Sequence, residues 1–336
     1  VCYDTTRRFC IVIFKKGYAM PTVTTSSLTG VQQRKLAARM LSIETPKLIH
    51  NLPAMRERLT MHSGNTLVFR RPVKLAPALV PLGNSGEEPP SSSLTAVDIQ
   101  AKPDFYGSWM KINEQVVLQN DDKPLNYATQ LLGLQLRETE DSLTRNMMLT
   151  TAAFINCTGG ASGDPSTEIT ISNASAVVRT LMGSDAQYMN DGIEGANKFG
   201  TAPIQNSFMA LAHTDLSGDL EATPGFKHVS EYPSQTNVPS SEWGQLSGLR
   251  IQLSSIGAIS TGSSNLGNDV YDIFCTGMEA VGIVDQDGFN AQLLYTPPSI
   301  AGGAMHQNAT LAWKTSFVSC ILNDSWIIRL RATLRP

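Results

Sequence analysis

Hydrophobic positions recur most regularly between Asp121 and Phe154. In "DDKPLNYATQLLGLQLRETEDSLTRNMMLTTAAF", Leu125, Ala128, Leu132, Leu136, Thr139, Leu143 and Met147 fall three or four apart, the period of one helical face. Leu131, Leu134 and Met148 widen the stripe, and Glu138, Glu140, Asp141 and Arg145 mark the wet side. Asp122 is available as N-cap and Pro124 suits the first turn. A helix from Pro124 to about Thr151 would be roughly 42 Å long at ~1.5 Å per residue. That exceeds the average globular helix, yet the stripe spans too few heptads for a coiled coil.

A period of two precedes it. Thr66–Phe69 has β-branched and aromatic strand character, and Val97, Ile99 and Ala101 alternate before Pro103 interrupts. Between them, Pro81–Ser93 is almost wholly Pro, Gly, Ser, Asn and Glu, which cannot form a core. The pattern predicts a long two-stranded arm with a flexible tip. An isolated ribbon of that kind is marginal in water, so it needs a surface from elsewhere. Residues 31–62 alternate short helical patterns with proline stops at Pro46 and Pro53, an extended N-terminal arm.

Beyond the long helix, "CTGGASGDPSTE" (Cys157–Glu168) is a turn-rich break and an expected domain boundary. Helical patterns at Ala174–Met182 and Gln205–Asp219 then mix with strands at Leu249–Leu253, Tyr271–Cys275 and Ala280–Val284, which predicts an α+β unit. "TPPSIAGGAMHQ" is a second break. The end, "ATLAWKTSFVSCILNDSWIIRLRATL", predicts two strands joined at Asn323-Asp324, with Trp326, Ile328 and Leu330 facing one way.

The 336 residues suffice for two or three packed units; 41% are apolar and 16% charged. The net charge of −3 conceals an asymmetry. Residues 31–74 carry nine Lys or Arg against Glu44 and Glu57, a net of +7, and residues 1–19 add +3, leaving −13 for residues 75–336. A basic third and an acidic remainder can attract each other within a chain or between copies; the alternative is a set of solvated faces of incidental sign. Five scattered cysteines, none in a CxxC pair, argue against a zinc ribbon, a thioredoxin-like site or a secreted disulfide scaffold, and fit an intracellular assembly site. No apolar run approaches the ~20 residues of a membrane span, and Lys15-Lys16 cuts short the run after Arg7-Arg8 that would suggest an export signal. Lys15-Lys16-Gly17 implies purine-rich codons just before Met20, so translation is expected to start at Met20.

Catalytic and ligand motifs are incomplete. "CTGGASGD" lacks the Lys-Ser/Thr ending of a phosphate loop. Asp285, Asp287 and Gly288 give a fragment of a calcium loop without its distal Glu, so a turn between strands is preferred. His213, Thr214 and Asp215 have no GxSxG elbow, and His50, His62, His228 and His306 show no metal-binding spacing. The basic residues between 34 and 74 include one aromatic, Phe69, too few for base readout.

The order of parts resembles a tailed-phage major capsid protein of the HK97 fold, and more closely the coat-protein branch named after coliphage N-four. The resemblance is carried by "SGNTLVFRR" (Ser63–Arg71), "FYGSWMKINEQVVL" (Phe105–Leu118), "ATQLLGLQLRETEDSLTR" (Ala128–Arg145), "EWGQLSGLRIQLS" (Glu242–Ser254) and "LAWKTSFVSCILNDSWIIRL" (Leu311–Leu330), in that order. It implies an α+β, HK97-like capsid fold: an N-terminal extension and N-arm (1–62), an extended β-hairpin or E-loop (63–119), a P-domain with a long spine helix (120–155) and closing strands (301–336), and an A-domain (mainly 156–300).

The resemblance also implies a structural protein with no catalytic residue, no cofactor and no metal. It would self-assemble as pentamers and hexamers in the icosahedral shell around double-stranded DNA, built in the bacterial host cytoplasm and located in the virion capsid. Implied partners are scaffold, portal and decoration proteins and, non-specifically, the packaged DNA; no membrane is involved. Charged residues expected at contacts between subunits are Arg70, Arg71 and Lys74, the tip residues Glu87 and Glu88, and Glu138, Asp141 and Arg145 on the helix. Three rivals stand beside this: an encapsulin-like nanocompartment shell of the same fold, an α+β enzyme with a lid hairpin, and a tail or decoration component, which would not need so long a helix.

Overall fold

Helix formation by the long amphipathic segment sets the architecture. The computed structural model describes residues 45–79, 91–119, 124–159, 166–189, 206–232, 238–264, 267–287, 291–301 and 305–335. In chain order the strands and helices are β1 (Ala54–Leu59), β2 (Leu67–Pro72), β3 (Ala96–Ala101), β4 (Asp104–Asn113), α1 (Glu114–Gln119), α2 (Pro124–Met148), β5 (Phe154–Asn156), α3 (Ile171–Gly183), β6 (Phe208–His213), α4 (Ser217–Ala222), β7 (Lys227–His228), β8 (Glu242–Leu246), β9 (Leu249–Ser254), β10 (Ala258–Ser260), β11 (Val270–Thr276), β12 (Val281–Gln286), β13 (Gln292–Thr296), α5 (Pro298–Ala301), β14 (Asn308–Ile321) and β15 (Ile327–Ala332). The expected N-cap, Asp122, lies outside the described residues, as does the expected start at Met20.

The 25 residues of α2 span about 37 Å at ~1.5 Å per residue. Its buried row is Ala128, Leu132 and Leu136, then Asp141, Thr144 and Met148. The apolar row expected to continue through Thr139, Leu143 and Met147 is only half-buried. The buried face therefore slips by one position at Asp141, which points inward rather than into solvent.

Two compact units form. One holds Trp109–Gln130 and Leu294–Ala312; the other holds Leu41–Ser108, Leu131–Leu293 and Trp313–Pro336. In the second unit an eight-stranded mixed sheet runs β5-β15-β11-β6-β9-β8-β7, with β10 on β11. One face packs on α3 through Ala174, Val177 and Leu181 against Phe208, Ile251, Ile273 and Leu330. Opposite it lies a smaller cluster of Leu211, Phe274 and Ile327 with Met148 of α2 and Ile49. Covering on both faces explains β6. Five of the six residues in "FMALAH" are buried, so the strand has no polar alternation, and the segment expected to be helical (Gln205–Asp219) is instead a central strand followed by helical turns. The β8–β9 hairpin turns on Ser247 and Gly248, both at positive φ (49° and 88°), as a two-residue mirror-image turn requires.

A second sheet runs β1-β12-β14-β13, with β4 also on β14. Gly107 permits that approach: a Cβ there would lie 2.8 Å from the Trp313 carbonyl oxygen. β1 runs parallel to β12, placing Arg58 opposite Asp285. The closing strands β14 and β15 are joined near Asn323-Asp324 as expected, but each joins a different sheet. Trp326 sits in the connecting turn, while Ile328 and Leu330 enter the core with Ala332.

Candidate intersubunit surface

Strands β2 and β3 pair antiparallel from Leu67↔Ala101 to Pro72↔Ala96, building the expected arm. Its root is anchored on its own chain, where Leu67 and Phe69 pack against Leu59, Ala101, Val284 and Val318. One further rung, Val73 N–H to Thr95 O at 2.9 Å, continues the ladder. Beyond it residues 73–79 and 91–95 are exposed throughout. Leu79 and Leu94 keep 84% and 85% of their surface in water. Side chains of that kind, on a ribbon two strands wide, form no core of their own.

Charge on the arm is partly answered. The Arg70 guanidinium clamps Asp98 across the ladder, with Nε–Oδ1 at 2.7 Å and Nη2–Oδ2 at 2.9 Å. That pairing holds the Asp98 carboxyl below its ordinary range. Lys74 Nζ lies 2.8 Å from Asp185 Oδ2, in a pair open to solvent. Asp185 follows α3 at φ 54°. Arg71 has no carboxylate within ion-pair distance among the described residues. Glu87 and Glu88 lie outside them.

On α2, Glu138 is half-buried, but Asp141 and Arg145 are engaged within their own chain. Asp141, expected on the wet side, is fully buried. It accepts from the His50 backbone N–H (2.9 Å), the Asn51 backbone N–H (3.2 Å) and His50 Nδ1 (2.7 Å). Thr144 Oγ1 donates to Asn51 Oδ1 at 2.5 Å and completes the clip between α2 and the turn before β1. Arg145 Nη1 donates to the Ile256 carbonyl at 2.9 Å. No local pattern announces this clip, since His50 and Asp141 are 91 positions apart.

Glu140, also expected on the wet side, is half-buried against β14 and accepts from Thr315 Oγ1 at 3.3 Å. Burial, then the charge of Asp285, raises its carboxyl above the ordinary range. Burial likewise raises Asp285, against the opposing pull of Arg56 and Arg58 on β1. A second buried network joins β8 and β9. Arg250 Nε donates to Glu242 Oε1 at 2.8 Å, its Nη2 to Glu242 Oε2, and Tyr232 Oη to Glu242 Oε1 at 2.9 Å.

No enzyme-like constellation emerges among these groups. His213 Nδ1 accepts from the Asp215 backbone N–H at 3.1 Å and its Nε2 meets the Ser255 carbonyl at 3.0 Å, while Asp215 receives Tyr271 Oη at 3.0 Å, a turn-stabilising arrangement. A cavity of about 360 Å³ lies beside α3, lined by Val178, Met182, Tyr188, Lys227, Gln245 and Ser247. It brings no acid–base pair together. Among the described residues no group of three His, Cys, Asp or Glu could hold a metal, and no helix is long and apolar enough to cross a membrane.

The smaller unit is unusually apolar outside. Trp109, Leu118, Ile300 and Met305 are each well over half exposed, at 66%, 75%, 73% and 74%. Together with the arm, these are apolar surfaces that a folded chain ordinarily covers.

No family model and no curated protein matches this chain by sequence. Solved structures do match it in fold. The capsid of cyanophage P-SCSP1u aligns at a TM-score of 0.64 and 13% identity, covering 92% of this chain and 95% of that one. The capsid of Ralstonia phage GP4 gives 0.64 and 12%, covering 91% and 96%. That of Helicobacter pylori bacteriophage KHP30 gives 0.59 and 10%, covering 96% and 100%. The chain therefore shares the mixed α+β fold of these phage capsid chains.

Proposed function

We propose that this chain is the major capsid protein of a tailed phage, a structural subunit that assembles with copies of itself into an icosahedral shell around double-stranded DNA. The observation that carries the reading is end-to-end agreement with capsid chains of several phages, each covered almost completely. The exposed apolar arm and smaller unit supply its physical motive, because both need partners that further copies can provide.

In this reading residues 63–119 are the E-loop, α2 is the spine helix of a P-domain that closes with 301–336, and 156–300 is mainly the A-domain. The five motifs quoted above favour the N-four branch. The arm lies across the long helix of the next copy, with Arg71 supplying charge and Leu75, Leu79 and Leu94 the apolar area. Burial at ~25 cal/mol per Å² over several interfaces makes each contact modest and the lattice strong. Of the expected contact residues, Arg70, Arg71, Lys74 and Glu138 remain in this role with the tip residues Glu87 and Glu88, whereas Asp141 and Arg145 serve their own chain. Assembly takes place in the host cytoplasm, with scaffold, portal and decoration proteins as further partners.

Negative-stain imaging of the purified protein tests this. Closed shells or capsomers are expected. A lone monomer at high concentration, with the arm folded on its own body, overturns the reading; shells filled with protein cargo rather than nucleic acid would favour a nanocompartment.

A further inference from the structure

Gly107, Gly248 and Gly257 each answer to something within the chain. A Cβ on Gly107 or Gly257 would lie 2.8 Å from a backbone atom, and Gly248 turns at positive φ. Gly133 answers to nothing of the kind. It sits well inside α2 and is exposed, and a Cβ placed on it meets no atom within 4 Å among the described residues. Glycine weakens a helix interior relative to alanine, so the subunit's own fold gains nothing from the missing side chain. A notch of this kind is useful where another molecule comes close to the helix backbone.

The notch opens on the wet side of α2. Leu131, Leu134 and Glu138 form the neighbouring stripe at helical spacing. Leu131 is 46% exposed, and Glu138 has no cation within ion-pair distance among the described residues.

The arm is two-sided. Its register puts Leu67, Phe69 and Arg71 on one face with Ile99 and Val97, whereas Arg70 and Asp98 clamp each other on the opposite face. The first face begins in the core, where Leu67 and Phe69 pack on the body. Val97 and Val73 carry it outward, 41% and 45% exposed. An apolar stripe that leaves its own core in this way continues onto something outside the chain.

We propose that the arm of a second copy crosses α2 at Gly133 with this apolar face down, Val97 and Val73 over the notch and Arg71 beside Glu138. The open cation of one surface answers the open anion of the other. A ribbon whose strands lie about 5 Å apart covers the notch and the leucine stripe together. Arg70, on the far face and already held by Asp98, reaches this contact only at its rim. The choice of a second copy as occupant rests on the capsid reading above; the crossing point and the face are new to it.

Two measurements test the seat: the denaturant midpoint of the subunit, and the concentration at which shells form, followed by light scattering. Gly133→Ala should raise the midpoint, as alanine does in a helix interior, and yet also raise the onset of assembly. Gly133→Gln fills the notch and should raise the onset about tenfold. Val97→Asn should raise it by about as much, while Val68→Asn, at a comparably exposed valine on the other face, should stay within about twofold of wild type. Arg71→Glu combined with Glu138→Lys should assemble better than Arg71→Glu alone. Wild-type onset in Gly133→Gln would overturn the seat and leave the notch to another protein of the particle. Equal effects of Val97→Asn and Val68→Asn would overturn the face. A midpoint lowered by Gly133→Ala would put the reason for the glycine inside the chain and overturn the crossing point as well. A wild-type chain that forms no shells brings down the capsid reading itself, whereas variants that assemble as wild type overturn this inference alone.

Discussion

Asp141 gathers three donors from the turn ahead of β1 while losing all contact with water. Removing such a group strands a buried imidazole and two amides. Asp141→Ala should therefore cost about 3–5 kcal/mol of subunit stability, measured as a lower denaturant midpoint. Asp98→Ala removes the partner of a solvent-exposed pair on the arm and should leave the midpoint unchanged. Cysteine reactivity gives a second test at this scale. Burial raises the thiols of Cys157 and Cys275 to about 12, leaving almost no thiolate at neutral pH. Alkylation followed by mass spectrometry should spare both in the native protein and modify both in denaturant. Labelling of either without unfolding would contradict the packing of the α3 face.

At the scale of elements, the half-buried carboxyls on α2 and β12 make a prediction whose sign is unusual. Glu140 and Asp285 are held above their ordinary range, so the folded chain binds their protons more readily than the unfolded chain. Their charged forms oppose folding at neutral pH, and stability from this pair grows as pH falls through the raised range. Glu140→Gln keeps the acceptor for Thr315 and removes the charge. It should raise the denaturant midpoint at pH 7 and lose that advantage in acid; a lower midpoint at pH 7 would refute the assignment. On the arm, Arg70 is already engaged by Asp98 while Arg71 is open, so Arg71→Glu should account for most of the assembly defect of the Arg70→Glu, Arg71→Glu pair. Sedimentation velocity reads assembly, and circular dichroism should show the subunit still folded.

Which elements could be read from sequence follows from what covers them. α2 and the arm show clear periods because each has one wet face. β6 misled because its two covered faces erase the alternation that identifies a strand. Asp141 misled because its partner lies 91 positions away, and no local pattern reports a buried pair of that span.

For the whole molecule, the uneven charge predicts assembly that depends on ionic strength. Raising salt from 0.1 to 1 M shortens the screening length from about 10 to 3 Å. The subunit concentration at which shells form, followed by light scattering, should rise over the first part of that range while the fold persists. An onset indifferent to salt would leave the apolar surfaces as the sole attraction between copies.

β15 has one more consequence, set by its place between β5 and β11 and by its following the other strands of the described residues in chain order. During synthesis the earlier segments emerge first, yet the large sheet keeps a gap until residues 327–332 arrive to fill it. A nascent polypeptide lacking them has no closed body on which its arm or helix could be offered correctly. Removing residues 327–332 therefore takes from β5 and β11 the one strand that both pair with, and the sheet divides there.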